Sequence, residues 1–183
     1  MCARSFPGDV LTDGAANADG WARQALALIP KILTLMDRNP HSPTYGCCDR
    51  AYWHYRIIDF PSGMSQELVW PLALAWDTAV EGNPWHQSPA VRSWVEAGIE
   101  FARSSSHGNG ACDDYFPYEQ AAGAAAFSLL ACIESCELVG LDDERLTDFL
   151  SRRADWLATH RESGRLANHL ALAALACSPR GSP

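Results

Sequence analysis

Residues 119–138 read EQAAGAAAFSLLACIESCEL, and this alanine-rich stretch decides the fold. Alanine has the highest helix propensity of the amino acids, so the composition predicts one long helix. Its side chains have little bulk, which lets neighbouring helices approach closely on several sides. We therefore expect this helix to lie at the centre of the domain.

Helical patterns also precede this stretch. From Trp21 onward apolar residues recur with helical spacing, and Pro30 is expected to kink or split that helix. A second helix is predicted for residues 64–80, with Ser65 as its N-cap. Pro71 lies inside that helix, where we expect a local kink.

The helical pattern continues after residue 80. Ser88 is a predicted N-cap, followed by Pro89 at the first helical position, where proline is well tolerated. Residues 104–118 are rich in serine, glycine and asparagine and then become acidic and aromatic, which is typical of a long loop. Two further helices are predicted, one from Asp142 or Asp143 to Thr159 and the last from Arg165 to Ala176.

No segment alternates apolar and polar residues as a strand does, so we predict an all-α fold of antiparallel helical hairpins. The 183 residues suit one domain, which at this size buries roughly 70% of the surface of its unfolded chain. We expect residues 1–18 to be a flexible lead-in, residues 19–177 to form a single domain, and residues 178–183 to be a disordered tail.

The net charge argues against one class of partner. It is −8 at pH 7, and Lys31 is the only lysine. Nucleic-acid binding requires a basic face opposite the phosphates, so we expect no nucleic-acid partner. A few arginines can still form a local positive pocket, and an anionic small ligand is not excluded.

The seven cysteines are odd in number and include no CxxC pair or zinc spacing. We expect reduced thiols and no metal site, and because no glycine-rich phosphate loop is present we expect no cofactor. The N-terminus lacks a basic segment followed by an apolar run, and no apolar stretch reaches the roughly 18 residues of a membrane span. These features predict a cytoplasmic protein with no membrane partner.

Aromatic and charged residues crowd together in the segment from Asp49 to Asp59. If residues 49–57 are helical, Arg50 and His54 share one face and Tyr52 and Tyr55 share another. Such a segment can line a polar pocket with hydrophobic walls, in which tyrosine and histidine exchange protons or hold a ligand. It can equally form a buried polar network that fixes an irregular loop on the helices. In the first case the site residues are Asp49, Arg50, Tyr52, Trp53, His54 and Tyr55.

Two other groups can carry chemistry. Asn168 and His169 precede an apolar helix; the asparagine can bind a carboxylate or enolate oxygen and the histidine can act as a base. Alternatively, Asn168 is an ordinary residue of the helix N-terminus and His169 is a structural histidine. Tyr115, Tyr118 and Glu119 end the long loop, where they can form the rim of a site, or Glu119 can simply favour a helix N-terminus.

Blocks of the sequence resemble the N-terminal helical part of heparinase II/III-like proteins, which are (α/α) toroid proteins and usually polysaccharide lyases. The resemblance covers residues 20–177 and implies a partial (α/α) toroid. The blocks that carry it are Cys48–Tyr55, Asp59–Pro61, Gln66–Glu67, Asp114–Glu119 and Gly164–His169.

The resemblance also implies roles. In such lyases an asparagine neutralises a uronate carboxylate while histidine and tyrosine move protons, so Asn168 and His169 are expected to play the first two parts. The tyrosine stays open among Tyr52, Tyr55, Tyr115 and Tyr118. The lyases continue through more hairpins and a β-sandwich, whereas this sequence stops shortly after the Asn-His helix. We expect it to pair with itself or with a second chain that completes the ring.

Three functions follow as hypotheses. The first is a lyase-like enzyme that abstracts a proton from a polar, carbohydrate-like and carboxylated substrate, with residues 49–55 facing His169 across a shared cleft. The second is a non-catalytic helical module that binds a partner chain or carbohydrate, with a large exposed apolar face. The third is a cyclase or isomerase of small-molecule biosynthesis.

Overall fold

The computed structural model describes residues 10–160, 162, 164 and 166–178, with the side chains described from residue 17 onward. All regular secondary structure in this part of the chain is helical, so the all-α prediction is confirmed. The helices are α1 (Val10–Leu26), α2 (Ile29–Leu33), α3 (Arg50–Trp53), the 3₁₀ helix Gly63–Leu68, α4 (Val69–Asp77), α5 (Pro89–Ser104), α6 (Ala122–Val139), α7 (Glu144–Thr159) and α8 (Ala167–Cys177).

The alanine-rich helix α6 lies at the centre, as its composition predicts. It packs against α4, α5, α7, α8 and the 3₁₀ helix. It begins at Ala122 rather than Glu119, because Tyr118 and Gln120 have left-handed backbone angles (φ 64° and 54°) that a helix cannot contain. It ends at Gly140, whose φ of 63° forms a left-handed cap.

Helix α6 belongs to both clusters of buried apolar side chains. Its C-terminal half, with Cys132 and Val139, packs in the larger cluster with residues of α2, α4, α5 and α7. Its N-terminal half, with Leu129 and Leu130, packs in a smaller cluster with Cys112, α7 and α8. One helix therefore joins the two parts of the core.

Helix α6 also corrects an expectation about membranes. It has 18 residues and a mean hydropathy of 1.5, so by length and composition it is long enough to cross a membrane. The sequence-based expectation that no stretch reaches this size is wrong. In this structure 61% of the helix is buried inside the protein, which is the behaviour of a core helix that passes the same test.

The helices before α6 differ in detail from their predictions. Pro30 does split the first helix, since α1 ends at Leu26 and α2 begins at Ile29 with the proline in its first turn. Helix α1 begins at Val10, so helical structure extends into the segment 1–18 that was expected to be a flexible lead-in; residues 1–9 lie outside the described part, as do residues 179–183 of the expected tail.

The helix predicted over residues 64–80 is a 3₁₀ helix followed by α4. The N-cap position belongs to Ser62 rather than Ser65, and the Ser62 side chain makes no capping bond. Pro71 lies in the first turn of α4, where backbone N–H groups have no helical acceptor, so the proline needs no kink. That expectation was wrong because the α-helix starts later than the apolar pattern.

Two of the predicted caps are found where expected. Ser88 precedes α5, and Pro89 occupies the first position of the helix. The Ser88 side chain makes no capping hydrogen bond. Asp143 caps α7, and its carboxylate accepts a hydrogen bond from the backbone N–H of Arg145. Residues 105–121 form the long loop between α5 and α6.

Candidate functional site

A cavity of about 260 Å³ lies at the start of α6. It is enclosed by the end of the 105–121 loop, by the N-terminal turn of α6, by the segment after α7 and by the first turn of α8. Its lining combines carboxylates, imidazoles and a phenol, which are groups that can bind and move protons. The lining residues are Met64, Asp114, Tyr115, Glu119, Gln120, Ala121, Ala122, Gly123, Ala124, His160, Glu162 and His169.

His169 and Glu162 form a hydrogen-bonded pair in this cavity. Nδ1 of the imidazole lies 2.9 Å from Oε2 of Glu162, and the His169 side chain is only 19% exposed. With Nδ1–H donating to the carboxylate, Nε2 keeps its lone pair and can accept a proton. A carboxylate that orients the imidazole in this way is a common arrangement for a general base.

The imidazole of His169 is held in place by α6. Its ring lies directly against Gly123, where an added Cβ would come within 2.4 Å of Cε1. The Phe127 ring, one helical turn further along α6, meets it edge-on with centroids 6.1 Å apart. The glycine therefore provides the space for the ring, and the phenylalanine limits its rotation.

Glu119 organises the loop wall of the cavity. Its Oε2 accepts hydrogen bonds from the backbone N–H groups of Asp114, Tyr115 and Phe116, at 3.2, 2.8 and 3.2 Å. This closes the loop just before α6. Glu119 thus has a structural role as well as a place in the cavity lining.

The two tyrosines of the loop differ in position. Tyr115 lines the cavity and its side chain is largely solvent-exposed, at 77%. Tyr118, at 83%, is also exposed but does not line this cavity. Of the sequence-predicted residues, Tyr115, Glu119 and His169 are brought together.

Asp113, which the sequence analysis did not single out, anchors the same loop. Its Oδ1 lies 2.8 Å from Nε2 of His107 and accepts from the N–H of Gln120, while Oδ2 accepts from the N–H of Tyr118. Burial opposes ionisation, but the hydrogen bonds from Gln120, His107 and Tyr118 outweigh it and lower the pKa of Asp113. An Asp inside a turn-rich loop, three residues after Gly110, is the signal that could have pointed to this role.

The aromatic segment from Asp49 to Asp59 lines a different cavity, of about 510 Å³. Tyr52, Trp53, Arg56 and Asp59 contribute to it, and it shares no lining residue with the cavity of His169. Neither cavity is the expected cleft between residues 49–55 and His169. Asn168 is exposed on α8 and lines neither of them.

The predicted helix over residues 49–57 is shorter than expected. Helix α3 covers only Arg50–Trp53, and His54 is its C-cap. Arg56 adopts a left-handed backbone with φ 52°, which ends any helical path. Tyr55 lies beyond the end of α3, so the inference that Tyr52 and Tyr55 share a helical face does not hold, whereas the N–H of His54 donates to the carbonyl of Arg50 at 3.2 Å, the spacing of one helical turn.

Most polar groups of this segment hold the backbone together. Asp49 accepts hydrogen bonds from the N–H groups of Ala51 and Tyr52 with Oδ1 and from that of Ser62 with Oδ2. Nε1 of Trp53 donates to the carbonyl of Leu35 at 2.7 Å. These contacts favour the second of the two interpretations, a polar network that fixes an irregular loop.

Four side chains of α3 and its C-terminal end contact one another. The guanidinium of Arg50 lies 5.1 Å from the centre of the Tyr55 ring, and His54 meets the rings of Trp53 and Tyr55 edge-on. His54 and Tyr55 are exposed. Nε of Arg50 is buried without a hydrogen-bond partner among the described residues.

Gln66 fastens the loop before α3 to α5. Its Oε1 accepts from the N–H of Cys48 at 2.7 Å, and its Nε2 donates to the carbonyls of Gly46 and Gly98. At Gly46 (φ 93°) the backbone lies so close to α5 that a Cβ would be 2.1 Å from the carbonyl oxygen of Ala97. This block of the family resemblance thus has a structural role.

The buried arginine Arg153 was also missed by the sequence analysis. It is 1% exposed, and its guanidinium donates to the carbonyl of Gly110 and to the hydroxyls of Ser128 and Ser106, at 2.6–2.7 Å. The guanidinium also stacks on the Phe149 ring at 4.7 Å. Arg153 therefore ties α7 to the 105–121 loop, at Ser106 and Gly110, and to α6, at Ser128.

The cysteines of the described part are free thiols. Burial raises the pKa of Cys47 and of Cys132 to about 12, so these thiols stay protonated and are poor nucleophiles at neutral pH. Within the same residues no group of three His, Cys, Asp or Glu side chains has the arrangement of a metal site.

The chain matched no protein-family model, no curated protein and no solved structure in comparisons with each. The resemblance to heparinase II/III-like proteins therefore stays a prediction from the sequence blocks.

Proposed function

We propose that the chain is an enzyme in which His169 takes a proton from a small polar substrate bound in the cavity at the start of α6. The reaction class is a lyase-like elimination or an isomerisation. The observation that carries the proposal is the 2.9 Å hydrogen bond between Nδ1 of His169 and Oε2 of Glu162 inside a cavity. A structural histidine does not require a carboxylate partner and an adjacent hollow.

Tyr115 is the proposed proton donor. Of the four tyrosines that the sequence left open, Tyr115 lines the cavity of His169, whereas Tyr52 lines the other cavity. In the proposed step His169 removes a proton from a substrate carbon. In an elimination the phenol of Tyr115 protonates the leaving group as its bond to the neighbouring carbon breaks, and in an isomerisation the phenol gives a proton to a second substrate carbon as the double bond moves. Tyr52 and His54 take no part in it.

The size of the cavity limits the substrate. At about 260 Å³ it is smaller than a drug-sized ligand pocket, which begins at roughly 300 Å³. It accommodates a small molecule or one residue of a larger one. Asn168 lies outside the lining, so its proposed contact with a carboxylate would require a substrate that extends from the cavity over the first turn of α8.

The partial (α/α) toroid is part of the same proposal. Its support is that α4 packs against α5, α6 against α7, and α7 against α8, which is the neighbour pairing of helical hairpins. Helix α6 in addition packs against α4 and the 3₁₀ helix, a central position that a simple ring of hairpins does not require.

Proton abstraction can be tested before the natural substrate is known. The purified chain is incubated in D₂O with a panel of small amines, polyols and carboxylic acids that carry an acidic C–H, and proton NMR follows the loss of that signal. We expect exchange or elimination with at least one compound, and we expect His169→Gln to abolish it. Glu162→Gln should reduce the rate by about 10- to 100-fold, since the imidazole keeps its position but loses its carboxylate.

His86 supplies the matched control, because its imidazole is exposed and, among the residues that the structure describes, its hydrogen-bond partner is the carbonyl of Trp76. His86→Gln should retain the full rate. Activity that survives His169→Gln, or a chain that exchanges no compound of the panel, contradicts the proposal.

One observation favours a second function, the non-catalytic module that pairs with itself. An apolar groove of about 450 Å³ runs between α1, α2 and α4, and the side chains of Leu28 and Leu74 in it are exposed. Exposed apolar surface of this kind commonly marks an interface between chains. In this case the partner is a second copy of the chain.

Light scattering during size-exclusion chromatography tests this second function. We expect a dimer for the unmodified chain and a monomer for Leu74→Glu, which places a charge in the groove. Leu170→Glu, on the exposed face of α8, is the control and should leave the dimer intact. A chain that is monomeric at all concentrations rules out self-association through the groove.

A further inference from the structure

Carboxylates surround the cavity of His169. Asp114 and Glu119 come from the 105–121 loop, and Glu162 comes from the segment before α8. None of the lining residues that the structure describes is a lysine or an arginine. A cleft lined by charges of one sign focuses the field and attracts a ligand of the opposite sign.

Part of this negative charge remains available to a ligand. Glu119 uses Oε2 for three backbone N–H groups, Asp114 uses Oδ1 for the Ser62 hydroxyl, and Glu162 uses Oε2 for His169. Over the described part of the chain, the second oxygen of each carboxylate accepts no hydrogen bond. Three acceptor oxygens are therefore left over after the contacts that hold the cavity together.

The Tyr115 ring adds a second, independent feature. Its side chain is 77% exposed although it lines the cavity, so one face of the ring has no protein neighbour covering it. An aromatic face beside carboxylates attracts an ammonium group through the negative charge of its π-system. The ring face has no comparable attraction for a carboxylate ligand.

We propose that this cavity takes a small organic cation, a primary amine or quaternary ammonium compound, rather than a carboxylated substrate. The inference rests on the proposed function only in sharing its cavity and its base, His169. A carboxylate ligand would enter a space that already holds three like charges with no described cation to offset them. The lining therefore favours a positively charged substrate, whereas the sequence predicted a negatively charged one.

Binding of simple ions tests the proposal without any turnover. The ring signals of His169, assigned by their loss in His169→Gln, are followed by NMR while the chain is titrated with ethylammonium, tetramethylammonium or acetate. We expect saturable shifts with the two cations and none with acetate. Added sodium chloride should weaken the cation binding, because ions in a partly open cavity are screened.

Two variants locate the bound cation. Asp114→Asn and Tyr115→Ala should each weaken its binding by about threefold or more, the lower range of a single charge or cation–π contact. Circular dichroism verifies that both variants keep the helical fold. Asp19→Asn, an exposed carboxylate on α1, is the matched control and should bind as the unmodified chain does.

The outcomes separate this inference from the proposed function. Saturable acetate binding, or no binding of either cation, overturns the cation proposal even if His169 proves to be a base. Arg161 and Arg165 lie outside the described residues, so the variants Arg161→Gln and Arg165→Gln are included in the titrations. Acetate binding that disappears in either variant would show that the site binds an anion through that arginine. Cation binding without proton exchange would instead support the cation site and contradict the proposed enzymatic function.

Discussion

Gly123 of α6 lies in direct contact with the imidazole of His169 on α8, so close that any side chain at position 123 would occupy the space of the ring. The contact joins the central helix to the candidate base. It also means that the geometry of the Glu162–His169 pair depends on the absence of a single methyl group.

Gly123→Ala should displace the imidazole. The added Cβ would be 2.4 Å from Cε1 of His169, so either the ring or the start of α8 must move, at a cost of about 1–3 kcal/mol. We expect a lower melting temperature and altered His169 ring signals by NMR. Gly20→Ala is the control: it lies in α1 with nothing within 4 Å of its Cβ, and should be stabilising by about 0.5–1 kcal/mol. Equal effects of both variants would contradict the contact.

Arg153→Ala should be strongly destabilising. It removes the three hydrogen bonds that join α7 to the 105–121 loop and to α6, together with the packing on Phe149, and we expect a loss of about 3 kcal/mol or more. Urea unfolding followed by circular dichroism measures the loss. The neighbouring Arg152 is exposed, with an ion pair to Asp148 and a solvent-exposed hydrogen bond to the carbonyl of Gly108, so Arg152→Ala should cost about 1 kcal/mol or less. Similar midpoints for the two variants would show that Arg153 does not hold the loop.

Asp113 should contribute to acid sensitivity. Despite burial, hydrogen bonds from Gln120 and His107 lower its pKa below the ordinary value of 3.8. A carboxyl group whose pKa is depressed by folding stabilises the fold at pH values above its unfolded pKa, and the stabilisation disappears as pH falls through the folded value. We expect Asp113→Asn to have a lower melting temperature than the unmodified chain at pH 7. Below pH 4 the difference between the two melting temperatures should become smaller. A difference that stays constant from pH 7 to pH 3 would contradict this assignment.

Gly46→Ala and Gly82→Ala separate two causes of destabilisation. Both glycines have positive φ, 93° and 81°, so both variants carry backbone strain of about 1–2 kcal/mol. Only at Gly46 would the Cβ also meet backbone atoms, at 2.1 Å, whereas at Gly82 the nearest atom is 3.8 Å away. Gly46→Ala should therefore lose more stability in urea unfolding. Equal losses would mean that the loop before α3 can move away from α5.

Local composition was enough to predict the all-helical fold and its central helix. The small side chains of residues 119–138 predict a central helix, and Pro30 predicts the break between α1 and α2, because both effects act within a few residues of the chain. The start of α6 and the end of α3 were not predictable in the same way. They depend on left-handed residues, Gln120 and Arg56, and at Gln120 a hydrogen bond to Asp113 helps to fix that conformation.

The candidate site was predicted in part. His169, Tyr115 and Glu119 stand out by residue type, and the structure places all three in one cavity. Glu162, the partner of His169, lies in a polar stretch without a pattern between α7 and α8, and the path of that segment brings it to the imidazole. The expectation that residues 49–55 share this cavity rested on the density of aromatic and charged residues and on the resemblance of sequence blocks, and such density is also found in a hydrogen-bonded loop network.

Because the two halves of α6 are embedded in different clusters of the core, we expect neither cluster of the described part to unfold without disrupting the helix that both share. Denaturation should accordingly be a single cooperative transition, with helical content and the environment of Trp70, which touches both clusters, changing at the same midpoint. The cavity of His169 is lined by residues of both α6 and α8, so its stability would follow the unfolding of the shared core and not that of the short helix α8 alone.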